Sequence, residues 1–193
     1  MRLDAVHDLQ KVFRKILSAT ASPGAIVDLE REAELLDLDL PLNKGILLVA
    51  LALLDAETSF NVASRDSAAQ EKAISQMTYA KPAYPGEADF VFVIGMAGAA
   101  EAIACARTGS LVDPHLGATL VVEAESLDEG GGLALSGPGI ESTARLKVGL
   151  DPLWIAARAA KNVEFPLGVD LLLVDLRFRL AALPRTTLIR EEA

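Results

Sequence analysis

The sequence predicts an α/β fold in three layers, a mixed sheet flanked by helices, and three observations carry that expectation. Segments with helical apolar spacing alternate with short runs of β-branched and aromatic residues along most of the chain. Residues 169–175 are apolar at nearly every position, as expected of a strand covered on both faces. The segments 118–124 and 132–136, separated by Asp128-Glu129-Gly130-Gly131, read as a hairpin that adds antiparallel neighbours.

The elements follow in order. Val6, Leu9, Phe13, Ile16 and Leu17 recur at three- and four-residue spacing with Lys11, Arg14 and Lys15 between them, which predicts an amphipathic first helix. Ser22-Pro23-Gly24 stops it, and residues 25–29 form a short strand. After Pro41 the apolar run 42–54 predicts a largely buried helix ending at Asp55-Ala56-Glu57-Thr58. A strand at 60–62 leads to a helix over 65–77, capped by Ser64. Residues 89–94, rich in Phe and Val, form a clear strand. Gly95 and Gly98 then open an Ala-rich helix running to Arg107, and the loop 108–114 follows. Beyond the hairpin, Gly137-Pro138-Gly139 is a turn and residues 153–160 form a helix after Asp151-Pro152. The apolar strand at 169–175 pairs with 178–183. No internal repeat or long linker divides the chain, so one domain is expected over 1–193.

Composition excludes several classes. With 51% hydrophobic and 23% charged residues the chain is globular rather than disordered. At 193 residues it is long enough to bury roughly 70% of its unfolded surface. A net charge of -9, with 18 scattered Lys and Arg, argues against nucleic-acid binding. The start Met1-Arg2-Leu3-Asp4 lacks a secretory pattern, and the longest apolar stretch, 45–54, is far short of the ~20 residues of a membrane span. A soluble protein of the cytoplasm is expected. Its single cysteine, Cys105, reads as a core thiol on a buried helix face and cannot form an intrachain disulfide.

Self-sufficient catalytic motifs are missing. Gly95-Met96-Ala97-Gly98 follows a strand as a dinucleotide turn does, but the third small residue is absent and Asp113, near the distance for a ribose acid, lies in a Pro-containing loop. These glycines read as packing glycines at a helix start. His7 and His115 have no metal-ligand spacing, so no metal is expected. Ser136-Gly137-Pro138-Gly139 lacks the leading Gly-x of a nucleophile elbow. The cluster Asp28, Glu30, Glu32, Glu34, Asp37 and Asp39 reads as a solvated surface. Asp170 and Arg185 are harder to assign. A carboxylate opening an apolar strand and an Arg beside two hydroxyls could bind each other, a partner chain or phosphate oxygens.

Five phrases occur in order from residue 13 to 187. They are Phe13-Arg14-x-x-Leu17 with Ala19 and Ser22-Pro23-Gly24, then Leu53-Leu54-Asp55-x-x-Thr58, then Gly109 with Pro114-x-x-Gly117-Ala118-Thr119-Leu120. Leu135-x-Gly137-Pro138-Gly139-Ile140 is the fourth. The last joins Phe165-Pro166-Leu167-Gly168-Val169-Asp170 to Leu183-Pro184-Arg185-Thr186-Thr187. In these phrases the chain resembles PhnH, the family of H subunits of the carbon-phosphorus lyase core complex.

The resemblance implies a fold related to a reduced pyridoxal-phosphate-dependent transferase of the aspartate aminotransferase type, without its cofactor. The pyridoxal-free expectation has support in the residues: Lys44, Lys81, Lys147 and Lys161 show no recognisable pyridoxal-site phrase. It further implies a subunit of a transferase/lyase complex, structural or accessory and not catalytic alone. That complex forms α-D-ribose 1-alkylphosphonate 5-triphosphate from ATP, its substrate, and an alkylphosphonate during phosphonate catabolism. The implied partners are the G, I and J subunits, functionally L, and a second copy of the chain as a homodimer in isolation. Arg14, Asp170, Arg185, Thr186 and Thr187 are the candidate interface or ligand-contacting residues, and no catalytic residue is assigned. The alternative is a nucleotide- or phosphonate-binding transferase gripping phosphate with Arg185, Thr186 and Thr187. A free-standing pyridoxal enzyme is a third reading.

Overall fold

The computed structural model describes residues 3–38, 40–96 and 98–192. In chain order its elements are α1 (His7–Ala21), β1 (Ile26–Asp28), α2 (Glu30–Glu34), α3 (Lys44–Leu53), β2 (Ser59–Ala63), α4 (Ser67–Thr78), β3 (Lys81–Pro82), β4 (Phe90–Val93) and α5 (Ala99–Cys105). A 3-10 turn (Pro114–Leu116) precedes β5 (Thr119–Ala124), β6 (Leu127–Ser136), β7 (Ala144–Val148), α6 (Leu153–Lys161), β8 (Asp170–Asp175), β9 (Arg179–Leu183) and β10 (Leu188–Glu191).

A seven-stranded sheet runs in the order β1-β9-β8-β5-β4-β2-β3, and a three-stranded sheet in the order β10-β6-β7. In the large sheet β3, β2, β4, β5 and β8 are parallel, while β9 is antiparallel to both β8 and β1. The sheet is therefore mixed, as expected. Its register sets Phe60, Phe90, Thr119 and Asp170 side by side, so the parallel strands share one amino-terminal edge.

Period-two burial builds the layers. In β8, Leu172 and Val174 enter one apolar cluster with α1, α2, α3 and α4, whereas Leu171 and Leu173 enter a second with α5, α6 and the small sheet. In β9, Leu180 and Ala182 divide from Ala181 and Leu183 in the same way. The double-sided apolar strand and its antiparallel partner are both present. Phe60 and Phe92 meet edge to face at 6.2 Å beneath the helices of the first cluster. The buried helix after Pro41 is α3, whose Asn43 cap accepts from the Gly45 N–H at 2.7 Å.

Several expectations are corrected. The hairpin does not join 118–124 to 132–136. β5 lies between β4 and β8 in the large sheet, and β6 pairs instead with β7 and β10. A strand as apolar as β5 gains most where both faces are covered. The glycines read as its turn lie inside β6, where Gly130, Gly131 and Gly132, all at positive φ, bulge so that Glu129 and Leu133 both oppose Leu146. Ser64 does not cap α4, because Asp66 holds the N-cap position while the Ser64 hydroxyl turns to Gln70. On α1 the buried stripe is Val12, Ile16 and Ala19, leaving Val6, Phe13 and Leu17 exposed.

Cys105 is exposed at the end of α5 and is no core thiol. The Ala-rich helix stops there, two residues early, because the chain turns extended at Ala106. Within the acidic cluster, Glu32 is buried and pairs with Lys15 at 2.6 Å, while Asp28, Glu30, Glu34 and Asp37 are exposed. Asp39 lies outside the described residues. The helix α2 and the strands β3, β7 and β10 were not legible from their sequences. No helix among the described residues is long and apolar enough to cross a membrane.

Candidate functional site

In open α/β sheets, ligands bind outside the carboxyl ends of the strands, where successive crossovers leave on opposite faces. Here that point lies between β2 and β4: α4 belongs to the first apolar cluster and α5 to the second. A cleft of about 890 Å³ opens there, lined by the buried Val91, Ile94 and Ala102 and with Ser64, Arg65, Asp66, Glu71 and Glu101 among its polar groups. Arg65, Asp66, Glu71 and Glu101 enter no ion pair among the described residues. None of Lys44, Lys81, Lys147 and Lys161 lines the cleft.

The glycine turn read as a possible phosphate cradle borders this cleft. Gly95 and Gly98 adopt φ of 87° and 84°, and a Cβ on either would meet nothing within 4 Å, so they are needed for backbone conformation rather than for close packing. The Gly95 N–H already donates to the buried Glu123 carboxylate at 2.6 Å. An internal carboxylate thus occupies the donor that an anion would seek.

At the opposite edge of the sheet the charged residues bind one another. Arg185 Nε and Nη2 grip the Asp170 carboxylate at 3.1 and 2.6 Å, and the Arg185 N–H donates to it at 2.6 Å. Its Nη1 donates to the Pro114 carbonyl at 2.8 Å and reaches that of Pro166 at 3.3 Å. One guanidinium therefore fastens the start of β8, the exit of β9 and two loops. Along the same edge, Asp89 accepts from the Ser59 hydroxyl and N–H at 2.6 and 2.8 Å and pairs with Arg107. Burial alone would raise the Asp89 pKa, but the hydrogen bonds from Ser59 and the Arg107 charge outweigh it and hold the carboxyl below its ordinary value.

Four of the five phrases have a common structural reason. A Cβ on Gly117 would stand 2.4 Å from the Gly168 carbonyl oxygen and 2.8 Å from Arg185 Nη1. On Gly139 it would stand 2.3 Å from the Ala21 carbonyl oxygen, and on Gly24 2.6 Å from Leu135 Cδ1. At Gly137 it would meet the Thr186 carbonyl oxygen at 2.8 Å. The third phrase thus packs on the fifth, and the fourth on the first and fifth. The second makes a local turn, in which Asp55 Oδ1 accepts from the Glu57 and Thr58 N–H groups at 2.9 and 3.0 Å.

Of the sequence candidates, the structure brings Asp170 and Arg185 together and places Thr186 and Thr187 on the same crossing from β9 toward β10. Arg14 lies apart, exposed on α1. The Thr187 side chain is buried, with its hydroxyl bonded to no group among the described residues. Three residues with a strong role here were missed. Arg158 is buried and donates to the Thr187 and Pro184 carbonyls at 3.1 and 2.6 Å. Burial lowers its pKa to about 10, with Asp170 pulling the other way. Its place one turn after Trp154, on the buried face of α6, was the available signal. Asn162 exchanges hydrogen bonds with the Val169 backbone at 2.8 and 3.1 Å. At the opposite, carboxyl end of β8, Asp175 is fully buried and accepts from the Leu127, Arg177 and Arg179 N–H groups. No group of His, Cys, Asp and Glu among the described residues could hold a metal ion.

Comparison with known proteins adds what geometry alone does not carry. The family model described as bacterial phosphonate metabolism protein (PhnH) matches residues 2–190. The putative C-P lyase subunit protein HtxG of Stutzerimonas stutzeri is 35% identical over 179 residues, covering 92% of this chain and 84% of that protein. The alpha-D-ribose 1-methylphosphonate 5-triphosphate synthase subunit PhnH of Rhizobium meliloti (strain 1021) is 31% identical over 192 residues, covering 98% of this chain and 94% of that protein.

Proposed function

The chain belongs to the PhnH family of bacterial phosphonate metabolism proteins, and from that premise we propose that it is a subunit of a carbon-phosphorus lyase system, required for forming α-D-ribose 1-methylphosphonate 5-triphosphate. The observation that carries this reading is a family match over residues 2–190, joined by two relatives whose names place them in that chemistry.

Its role is structural or accessory within the complex. In support, Asp170 and Arg185 are spent on each other and on loop carbonyls, and the glycines of the family phrases serve close packing. The partners are the G, I and J subunits, with a homodimer in isolation and a place in the cytoplasm. Arg14, Asp170, Arg185, Thr186 and Thr187 remain the residues offered to such contacts, and Arg14 is the most accessible of them. A pyridoxal cofactor does not suit the residues present. A Schiff base needs a lysine, and none lines the cleft where the strands end.

The test is affinity purification of the tagged chain from its own host, grown on a phosphonate as sole phosphorus source. Recovery of the G, I and J subunits in comparable amounts is expected. Recovery of the chain alone, together with undiminished growth of a deletion strain on methylphosphonate, would overturn the reading.

A further inference from the structure

Buried polar atoms almost always find a hydrogen-bond partner, in protein or in ordered water. Two that find none among the described residues lie on residues already joined to each other: Arg158 Nε and Thr187 Oγ1. Arg158 is 4% exposed and Thr187 2%, and Arg158 Nη1 donates to the Thr187 carbonyl at 3.1 Å. Its Nη2 donates to the Pro184 carbonyl at 2.6 Å and reaches that of Leu183 at 3.5 Å. Nε–H is a donor only, so what it lacks is an acceptor, while a hydroxyl can both give and accept. No carboxylate hydrogen-bonds to the Arg158 guanidinium among the described residues, so no protein anion supplies that acceptor.

We infer that a single buried water molecule bridges Arg158 Nε–H and the Thr187 hydroxyl. Water is the ligand whose chemistry matches: its oxygen accepts from Nε–H, and it can give or take the hydrogen bond of Oγ1. The site sits where the chain leaves the large sheet at Leu183 and enters the small one at Leu188, and it joins α6 to that crossing. It makes solvent a structural part of the joint between the two sheets. The inference does not depend on the proposed function.

The test is diffraction from crystals of the full chain at a resolution that shows ordered water, with Thr187→Val and Thr187→Ser beside the wild type. A density peak within about 3 Å of both Nε and Oγ1 is expected in the wild type and in Thr187→Ser. In Thr187→Val, which keeps the shape and removes the hydroxyl, the peak should be lost. A direct Nε–Oγ1 hydrogen bond, or no peak in the wild type, overturns the inference. A bromide soak guards against misassignment, because an anomalous peak at the site would make it an anion site. Should Thr187→Val fail to fold, wild type and Thr187→Ser still decide.

Discussion

The amino edge of the parallel strands and the cleft between β2 and β4 at their carboxyl ends treat charge in opposite ways. At the amino edge, Asp89 with Arg107 and Asp170 with Arg185 are partly buried and paired, and the Nη1 of each Arg fastens a loop carbonyl. At the carboxyl edge, Arg65, Asp66 and Glu101 stand exposed around an open cleft. The cleft where α/β sheets place ligands is therefore the loosely specified region, although farther along the carboxyl edge Asp175 is buried and paired with Arg179, and the edge carrying the most punctuated phrases is a joint. Punctuation and charge in a sequence can mark where loops must be held as readily as where substrates bind.

That contrast can be broken by substitution. The largest effect is expected from Arg185→Ala, which leaves Asp170 without its pair and two loop carbonyls without a donor. A loss of about 3 kcal/mol follows, at the low end for breaking a buried pair because both side chains keep some solvent contact. Denaturant unfolding measures it, and a loss below about 1 kcal/mol would mean the joint is not held by this residue. Next comes Gly117→Ala, whose Cβ would overlap a backbone carbonyl that cannot swing away. It should cost about 2 kcal/mol by the same assay.

The pH dependence sharpens the same comparison. The Asp89 pKa is lowered in the folded state relative to an ordinary 3.8. Its contribution is therefore complete above the unfolded value and is lost as pH falls through the lower folded one. Thermal unfolding between roughly pH 5 and pH 2 should show a steeper loss for the wild type than for Asp89→Asn, and parallel curves would refute the assignment. The smallest effect belongs to the open edge, where Arg65→Ala should change stability by no more than about 0.5 kcal/mol. A loss comparable to that of Arg185→Ala would erase the distinction between the cleft and the joint.

What was legible was mostly local. The helix α3 and the β8–β9 pair could be read because their apolar periods and turn residues act over a few positions. The glycines at 24, 117, 137 and 139 could be recognised as special, though the carbonyls and side chains they approach come from distant segments. The site was less legible. Asp170 and Arg185 were singled out with three readings open, whereas Arg158 was passed over in a helix that looked simply apolar.

By itself the sequence determined the family, through ordered phrases that survive comparison with relatives, and the alternation of helix and strand, through periods of 3.6 and 2. Only the tertiary structure decided that β5 joins the large sheet, that β6 bulges rather than turns, that Glu32 is buried and Cys105 exposed, and that Arg185 closes on Asp170. The physical reason is range. A φ preference or an apolar period is felt by neighbouring residues, whereas strand order and the pairing of buried charges depend on surfaces that meet only when remote segments have already packed.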